Sequence, residues 1–351
     1  MNTNYYAVIM AGGVGSRLWP VSTKAQPKQF HDFMNTGLSF LQSTFHRITS
    51  VVDEKNIFIL TNAKYTEQVT QQLAYLHQHR LIPETAMRNT APCILLAALK
   101  IYKENPDGVM LVAPSDHLIK KEPKFWDDVQ QSLQKAETED VLITLGIKPT
   151  QPNTGYGYIE YEENTSAFKP VKQFREKPDL ATAKRYLQQG NFLWNAGIFI
   201  WSVRSIIEQF KQHQPAMHAL LHQGNDVLNT DKEHAFIEKN YASCENISID
   251  YAILEKATNV QVLPASFEWN DLGTWTSIHA ISDKDEHANT VIGTEKSLLK
   301  NAENNLIFAN SDKKVIVHGL KNYIIVDKND TLLIIPMAED QDIKQISASL
   351  K

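Results

Sequence analysis

An alternation of apolar strands with amphipathic helices runs through the first half of the chain and sets narrow limits on its fold. Runs typical of buried strands lie at 6–11, 57–61, 109–113 and 141–146. Amphipathic stretches of helical length separate them, at 39–49, 64–79, 91–103 and 126–135. Strand–helix–strand alternation predicts an α/β domain whose mostly parallel sheet is covered by helices on both faces.

The second half of the chain has a more mixed pattern. Strand-like runs lie at 156–161, 171–174 and 194–201, a helix is predicted for 179–189, and 205–257 is predicted to be largely helical with a break at Pro215. A charged stretch at 282–287 is a candidate linker. Further strand-like runs at 306–309, 315–318, 323–326 and 332–336 predict a small all-β region. We therefore predict two domains, over 1–282 and 283–351.

The composition excludes several classes of protein. With 35 basic and 40 acidic side chains in 351 residues, the net charge of −5 provides no basic surface for nucleic acid. The two cysteines, Cys93 and Cys244, lie far apart, which excludes a disulfide scaffold and a cysteine zinc cluster. The sequence contains no apolar stretch of bilayer length and no signal-peptide pattern. We predict a cytoplasmic protein with no nucleic-acid or membrane partner.

A glycine-rich turn follows the first predicted strand directly. Three glycines within four positions allow backbone N–H groups to approach a phosphate closely, and a neighbouring guanidinium suits phosphate oxygens. A dinucleotide-binding fingerprint would need a third glycine where Leu18 stands, and a Walker P-loop would need a Gly-Lys pair. A tight turn without a ligand is the alternative. Arg17 beside the glycines and the later segment 27–30 (PKQF) favour a phosphate-binding turn over that alternative.

Further motifs follow in a fixed order. The sequence AGGVGSRLWP at 11–20, with PKQF at 27–30, resembles the signature of sugar nucleotidyltransferases, in particular those that form GDP-mannose. Matching motifs continue at 88–92 (RNTAP), 114–117 (PSDH), 155–159 (GYGYI), 176–178 (EKP), 194–197 (WNAG), 248–252 (SIDYA) and 269–275 (WNDLGTW). One such motif is a weak signal, whereas the ordered series over residues 6–275 is specific.

The resemblance implies a fold. It is a Rossmann-like nucleotidyltransferase domain with a mixed, mostly parallel sheet over 1–282, followed by a β-rich, β-helix-like domain over 283–351. Some relatives carry an additional phosphomannose isomerase domain, and this chain ends before one, so the expectation is a monofunctional transferase. The resemblance leaves a homodimer open.

The resemblance also implies a reaction, in which GTP and mannose 1-phosphate give GDP-mannose and pyrophosphate. A sugar-phosphate oxygen attacks the α-phosphorus in line, so the protein has to orient two polyanions and stabilise charge. The implied catalytic residues are Arg17, Lys28 and Lys177, and the implied cofactor is Mg²⁺ held by Asp116 and Asp271. Without the resemblance, either aspartate would suit a turn or a helix cap.

Two sets of binding residues are implied for the two substrates. The nucleotide is expected to contact the glycine-rich turn through Ala11, Gly12, Gly13, Gly15, Ser16 and Arg17. It is also expected to contact Glu84, Arg88, Asn89, Thr90 and Ala91. The sugar phosphate is expected to contact Ser115, Gly157, Tyr158, Glu176, Lys177, Asn195 and Asp250. Without the resemblance, we would interpret Glu176 and Lys177 as a surface pair and Asp250 as part of a helix start.

The chain departs from the family pattern at two positions. Thr85 replaces a common proline, which leaves the choice of base open, and Thr23 replaces a common arginine, with Lys24 beside it. Three alternative functions follow: the same chemistry with another nucleotide or sugar 1-phosphate, a non-catalytic sugar-nucleotide sensor, and a nicotinamide-dependent oxidoreductase. The missing third glycine argues against the oxidoreductase. The retained charged residues, with Arg17 and Lys28 among them, favour an enzyme over a sensor.

Overall fold

The computed structural model describes residues 2–350. The helices are α1 (Phe40–Ile48), α2 (Thr66–Gln72), α3 (Thr90–Glu104), α4 (Glu122–Thr138), α5 (Leu180–Gln189), α6 (Val203–His213), α7 (Pro215–His222), α8 (Glu233–Asn240), α9 (Trp275–Ile281) and α10 (Ile343–Ser349). Within this range no helix is long and apolar enough to cross a membrane.

The strands fall into a longer set in the first three-quarters of the chain and a shorter set after it. The first set is β1 (Tyr5–Ala11), β2 (Ile57–Asn62), β3 (Leu81–Glu84), β4 (Val109–Pro114), β5 (Leu118–Lys120), β6 (Leu142–Ile147), β7 (Tyr158–Tyr161), β8 (Lys169–Arg175), β9 (Phe192–Ser202), β10 (Val260–Pro264) and β11 (Glu268–Asn270). The second set is β12 (Thr290–Ile292), β13 (Ser297–Lys300), β14 (Leu306–Phe308), β15 (Val315–His318), β16 (Tyr323–Lys328) and β17 (Thr331–Pro336).

The chain forms two compact units. Unit 1 comprises Met1–Gly12, Phe45–Pro114 and Ile119–Trp269. Unit 2 comprises Gly13–Thr44, Ser115–Leu118 and Asn270–Lys351. The glycine-rich turn from Gly13 onward, residues 115–118 after β4 and the C-terminal quarter of the chain therefore belong to the same unit. The domain boundary after residue 282 stays a prediction from the sequence.

A nine-stranded mixed sheet forms the centre of unit 1, in the order β3-β2-β1-β4-β9-β6-β10-β8-β7. Strand β1 is parallel to both β2 and β4, and β2 is parallel to β3. Strand β9 is antiparallel to β4 and β6, so it separates this parallel part from the parallel pair β6 and β10. The predicted α/β fold with a mixed sheet is confirmed.

Burial on both faces explains why the central strands are continuous apolar runs. Every residue of β2 from Ile57 to Thr61 is fully buried, so both faces of the strand are covered. Polar and apolar residues alternate only in a strand that has one face in water. Helices α3, α6 and α7 share one hydrophobic cluster with the sheet. Helix α3 begins at Thr90 because the side chain of Asn89 accepts a hydrogen bond from the Thr90 N–H.

A short parallel coil forms most of the β structure in unit 2. Strand β12 is parallel to β14 and β14 to β16, and Thr290 pairs with Leu306, sixteen residues further on. Strand β13 is parallel to β15, with Ser297 paired to Val315, eighteen residues further on. Consecutive turns of similar length that stack in parallel are the arrangement of a β-helix. The predicted β-rich, β-helix-like C-terminal region is therefore confirmed.

Two buried asparagines join successive turns of this coil. The Asn305 side chain donates to Asn289 Oδ1 at 2.9 Å, and the backbone N–H of Asn305 donates to the same oxygen at 3.0 Å. The Asn305 Oδ1 in turn accepts from the Tyr323 N–H at 2.9 Å. Both asparagine side chains are buried, so these bonds satisfy groups that would otherwise destabilise the interior.

The predicted elements are confirmed most accurately where the apolar runs are longest. The four strands predicted in the first half are β1, β2, β4 and β6, each within one residue of its predicted ends. The helix predicted over 64–79 is wrong in its second half, because α2 ends at Gln72. The region 205–257 contains α6, α7, α8 and a π-helical turn at Asp250–Leu254, with Pro215 as the first residue of α7.

Candidate active site

The glycine loop (Gly12–Arg17) follows β1 and leads into a 3₁₀ turn at Ser16–Leu18. Gly15 precedes this turn with a φ of 68°, and a Cβ built on it would lie 2.6 Å from the Cβ of Lys28. Only glycine fits there without displacing Lys28. At Gly13, by contrast, a Cβ would meet nothing within 4 Å. The loop is therefore tight on the side of Lys28 and open at Gly13, and its last residue, Arg17, is exposed.

Lys28 lies beneath the loop and is buried, with 3% of the residue exposed. Its backbone N–H donates to the Val14 carbonyl at 3.4 Å, which ties the PKQF segment to the glycine loop. Its Nζ donates to Asp116 Oδ2 at 2.9 Å and to the Asp271 backbone carbonyl at 2.6 Å. The structure thus brings together three residues that were predicted separately for phosphate and metal binding. We refer to them as the Lys28 cluster.

The Lys28 cluster has the donor chemistry of a cation site. Burial disfavours the charged form of Asp116, but the positive charge of Lys28, together with the neighbouring His117, outweighs this effect and lowers the pKa of the Asp116 carboxyl. Carboxylates such as those of Asp116 and Asp271 are the hard oxygen ligands that Mg²⁺ prefers. The residues therefore fit a divalent cation, although the described part of the chain holds no group of three or more His, Cys, Asp or Glu side chains placed to bind one.

Asp271 lies in a turn that its own neighbours hold. The Gly273 N–H donates to Asp271 Oδ1 at 3.2 Å, and the Leu272 N–H donates to Asn270 Oδ1 at 2.7 Å. These bonds stabilise a backbone in which Leu272 has a φ of 47°. The alternative interpretation of Asp271 as a turn residue is thus realised, and the same turn delivers its carbonyl to Lys28.

Ser115 follows β4 and is buried. Its carbonyl accepts a hydrogen bond from the Thr44 hydroxyl at 3.0 Å. This bond fixes the backbone immediately before Asp116. The contact of Ser115 with a substrate stays a prediction.

In unit 1, the predicted nucleotide residue Glu84 ends β3 and lies near Gly12, which follows β1. A Cβ on Gly12 would be 3.6 Å from Glu84 Oε2. The other carboxylate oxygen accepts a hydrogen bond from the hydroxyl of Tyr241. Burial raises the pKa of the Glu84 carboxyl, and the bond from Tyr241 opposes that rise.

The segment from Arg88 to Ala91 is held by residues 242–249. Arg88 Nε donates to the Ala242 carbonyl at 2.9 Å. The Thr90 hydroxyl accepts from the Ile249 N–H at 2.9 Å. Ala91 in turn donates its N–H to the Ile247 carbonyl at 3.1 Å. The predicted nucleotide segment is therefore supported from a part of the chain about 150 residues away in sequence.

Most of the residues predicted for the sugar phosphate meet in unit 1. Asn195 donates its N–H to the Gly157 carbonyl at 2.9 Å and its Nδ2 to Asp250 Oδ1 at 2.7 Å. A Cβ on Gly157 would lie 2.9 Å from Glu176 Oε2, so glycine lets that carboxylate approach the backbone. Lys177 pairs with Glu176. The structure therefore brings these five predicted residues into one cluster.

Burial raises the pKa of the Asp250 carboxyl, and the negative charge of Glu176 raises it further. The hydrogen bond from Asn195 acts in the opposite direction. Asp250 starts the π-helical turn, a rare element that is frequent at functional sites. A carboxyl group held in this way can accept from or donate to a hydroxyl.

Tyr158 is more deeply buried than the cluster, in which Glu176 and Lys177 are exposed. It is fully buried, its hydroxyl donates to the Asn153 carbonyl at 2.9 Å, and its ring packs on Tyr186 with centroids 5.3 Å apart. The side chain therefore supports the fold of β7, and its contact with a sugar stays a prediction from the sequence.

Sequence reasoning missed Tyr241, which the structure places against Glu84. Nothing in the local sequence marks it, because it stands in a stretch that predicts only a helix. The pairing of Lys28 with Asp116 was equally invisible, since the two residues are 88 positions apart. A tertiary contact of this kind has no signal in a single sequence.

A family model described as nucleotidyl transferase matches residues 6–288 of the chain. The chain belongs to the nucleotidyl transferase family. This family membership confirms the resemblance that the motifs indicate, and it confirms that the protein is of an enzyme class that transfers nucleotidyl groups. The match includes the glycine loop, the Lys28 cluster and the residues around Asp250.

Several nucleotidyl transferase relatives align with nearly the whole chain. Mannose-1-phosphate guanylyltransferase RfbM of Salmonella typhimurium is 35% identical over 355 aligned residues, which cover 99% of this chain and 73% of the relative. Xanthan biosynthesis protein XanB of Xanthomonas campestris is 34% identical over 348 residues, which cover 98% of this chain and 73% of the relative. The solved structure of a mannose-1-phosphate geranyltransferase from Thermus thermophilus is 27% identical, with a TM-score of 0.88 and 99% of both chains covered.

Proposed function

We propose that this nucleotidyl transferase transfers GMP from GTP to mannose 1-phosphate and forms GDP-mannose and pyrophosphate. The observation that carries the proposal is the alignment of almost the whole chain with a relative named mannose-1-phosphate guanylyltransferase, at 35% identity. The residues that the motifs single out also lie in polar clusters suited to two phosphorylated substrates.

The proposed reaction needs no nucleophile from the protein. A phosphate oxygen of mannose 1-phosphate, already an anion, forms a bond to the α-phosphorus of GTP. The bond from that phosphorus to the bridging oxygen breaks, and pyrophosphate leaves with its electron pair. The protein contributes orientation of two polyanions and stabilisation of the charge on the reacting phosphoryl group.

The glycine loop and the Lys28 cluster suit the phosphates of GTP. Backbone N–H groups of the loop can approach the phosphates because no side chain fills the space at Gly13. Arg17, the last residue of the loop, is exposed and supplies a planar guanidinium for phosphate oxygens. Lys28 supplies a buried positive charge beneath it. We assign these residues to the triphosphate.

Asp116 and Asp271 are the residues that would hold Mg²⁺, the cofactor we propose. When bound, Mg²⁺ supplies positive charge to phosphoryl oxygens and so favours their approach to a second anion. Lys28 keeps the Asp116 carboxylate paired and ionised, as its lowered pKa reflects. The protein thus maintains an oxygen donor in the form that a divalent cation needs.

The cluster around Asp250 suits the sugar phosphate. Lys177 carries the charge for the phosphate, and Glu176, Asn195 and Asp250 provide donors and acceptors for hydroxyl groups. Residues 84–91 are assigned to the base. Guanine presents N–H donors at N1 and N2, for which the Glu84 carboxylate is an acceptor. Cytoplasmic location, a homodimer, a catalytic domain ending near 282, and the lack of nucleic-acid and membrane partners are further proposals.

Pyrophosphate release tests the proposed function. Four nucleoside triphosphates are each combined with several sugar 1-phosphates, with and without Mg²⁺. We expect release with GTP and mannose 1-phosphate, lost on chelation. Arg17→Ala should lower turnover about 10²- to 10³-fold, as loss of one transition-state donor does. The matched control is Arg204→Ala, which removes another exposed guanidinium, paired with Asp107.

Release with a different pair of substrates would keep the chemistry and replace the substrate assignment. If folded protein released no pyrophosphate with any pair of substrates, this result would contradict the proposed enzyme activity and favour the sugar-nucleotide sensor. Equal rates for Arg17→Ala and Arg204→Ala would remove Arg17 from the phosphate site.

A further inference from the structure

We infer that the turn Tyr241–Ser243 positions the base-binding residues, and that the Tyr241 hydroxyl orients the carboxylate of Glu84 toward guanine. The inference rests on the proposed function, because it assumes that residues 84–91 face the base of GTP. Tyr241 is a positioning residue in this scheme, since it acts through Glu84.

The contacts of Tyr241 define the orientation of Glu84. Tyr241 is fully buried, and its hydroxyl donates to Glu84 Oε1. A single bond to one oxygen leaves Oε2 as the atom on the side of Gly12, 3.6 Å from where a Cβ of that glycine would be. Gly12 is itself one of the residues assigned to the nucleotide, so the carboxylate edge that Tyr241 directs lies on the side of that residue.

The same turn also fixes the second charged residue of the segment. The Ala242 carbonyl accepts from Arg88 Nε at 2.9 Å and from a second nitrogen of the same guanidinium. Two bonds to one carbonyl hold the planar guanidinium in a fixed direction. One three-residue turn therefore holds both Glu84 and Arg88, the two charged residues at the ends of the segment 84–88.

Orientation of the carboxylate decides which base is accepted. Guanine offers adjacent N–H donors at N1 and N2, whereas adenine offers an acceptor at N1. A carboxylate with one oxygen turned to the ligand matches guanine and repels adenine. Without the hydroxyl of Tyr241, the carboxylate can rotate and this discrimination weakens.

The titratable groups close to Glu84 are the Tyr241 hydroxyl and the Cys93 thiol of α3. The Cys244 thiol lies close to Tyr241 in turn. Burial raises the pKa of Glu84 and the bond from Tyr241 opposes the rise. Loss of that bond should raise the pKa further. As pH is lowered, GTP binding that needs the ionised Glu84 carboxylate would therefore be lost at a higher pH than in the native protein.

Tyr241→Phe tests the inference, with Tyr5→Phe as the matched control. Tyr5 is also buried, and its hydroxyl also donates to a glutamate carboxylate, Glu137 Oε2 at 3.0 Å. For Tyr241→Phe we expect KM for GTP to rise about tenfold, with kcat and KM for mannose 1-phosphate nearly unchanged. The preference for GTP over ATP should fall by a similar factor, and the acid limb of the GTP profile should move to higher pH. Tyr5→Phe should change none of these.

Calorimetric binding of GDP and ADP separates this inference from the proposed function. If the native protein prefers GDP but does not turn over, the proposed reaction fails, and the inference is judged by whether Tyr241→Phe loses the preference. An unchanged GDP preference and an unchanged KM for GTP in Tyr241→Phe would overturn the inference while the reaction stands. Binding of neither nucleotide by native protein would overturn both. Thermal unfolding of each variant confirms that the comparison uses folded protein.

Discussion

The ammonium of Lys28 lies 2.9 Å from Asp116 Oδ2 and also donates to the Asp271 carbonyl at 2.6 Å. Residues from three distant parts of the sequence thus share one positive charge inside unit 2. The side chain of Lys28 is 4% exposed and that of Asp116 is 29% exposed, so the pair opens to solvent on the side of the carboxylate. A cation can therefore reach the Asp116 carboxylate from solvent, whereas the Lys28 side chain is covered.

Lys28→Met should lower turnover about 10²- to 10³-fold, because it removes a positive charge that we assign to the phosphates. The matched control is Lys100→Met, since Lys100 is also buried and paired with an acid, Glu233. This control should lose about 3–5 kcal/mol of unfolding free energy, as breakage of a buried ion pair does, while kcat is retained. Turnover with GTP and mannose 1-phosphate, beside urea unfolding, checks both. Equal turnover in the two variants would contradict the assignment of Lys28.

Gly15→Ala should destabilise the protein by about 1–3 kcal/mol, because an L-residue is strained at a φ of 68° and its Cβ would meet Lys28. Gly13→Ala is the control, since its Cβ meets nothing within 4 Å. It should keep the unfolding free energy within about 0.5 kcal/mol. It should still weaken GTP binding, because the added methyl group occupies space that we assign to phosphates. Urea unfolding and GTP titration separate the two effects. A Gly13→Ala variant that binds GTP normally would contradict the assignment of the phosphates to the space at Gly13.

Asp271→Asn should raise the Mg²⁺ concentration needed for half-maximal rate by at least about tenfold. A unit charge at about 4 Å is stabilised by about 1 kcal/mol in water and about 4 kcal/mol at an effective dielectric of 20, and the amide loses this attraction. The turn should persist, because the amide oxygen can still accept from the Gly273 N–H. A magnesium titration of initial rates is the measurement. Asp285→Asn, at an aspartate that also accepts backbone N–H bonds, is the control and should leave the titration unchanged.

Asp250→Asn should raise the unfolding temperature at pH 7 and lower the turnover. Since the folded chain raises the pKa of Asp250, its contribution to stability is complete below the ordinary carboxyl pKa and is lost as pH rises through the raised pKa. Asparagine carries no charge, so the gain over the native protein should shrink toward pH 4. Thermal unfolding between pH 4 and pH 8 is the measurement.

Asp285→Asn is the control of opposite sign for this pH series. Burial opposes ionisation of Asp285, but hydrogen bonds from Asn289 and His287 lower the pKa of its carboxyl. Its contribution is present above the ordinary pKa and is lost as pH falls, so this variant should be less stable at pH 7 and approach the native protein in acid. An Asp250→Asn variant that is less stable than native at pH 7 would contradict the raised pKa.

The sequence predicts most of the sheet because burial on both faces leaves continuous apolar runs, as in β1 and β4. It does not predict β3, in which Pro83 interrupts a four-residue strand, or β10, which is short and follows a polar turn. Such strands are stabilised by their neighbours in the sheet more than by their own composition. The break before Pro215 was predictable, because proline lacks the N–H that a helix interior requires.

The candidate site likewise contains residues that the sequence predicts and residues that it does not. Gly13, Arg17 and Lys28 belong to motifs that a single sequence exposes, since their residue types and spacing are unusual. Tyr241 and the carbonyl of Ala242 act through folded geometry, where a backbone atom or an ordinary tyrosine meets a residue about 150 positions away. Residue type alone carries no trace of such contacts.

The ladder that joins Asn289 to Asn305 and Tyr323 restricts how the C-terminal region can change in length. Each bond joins equivalent positions on successive turns of the coil. A deletion of one residue between them would rotate every following side chain and expose Ile307 and Ile325, which are now buried. Natural variation here should therefore add or remove whole turns of 16 to 18 residues and leave partial insertions to the loops between strands.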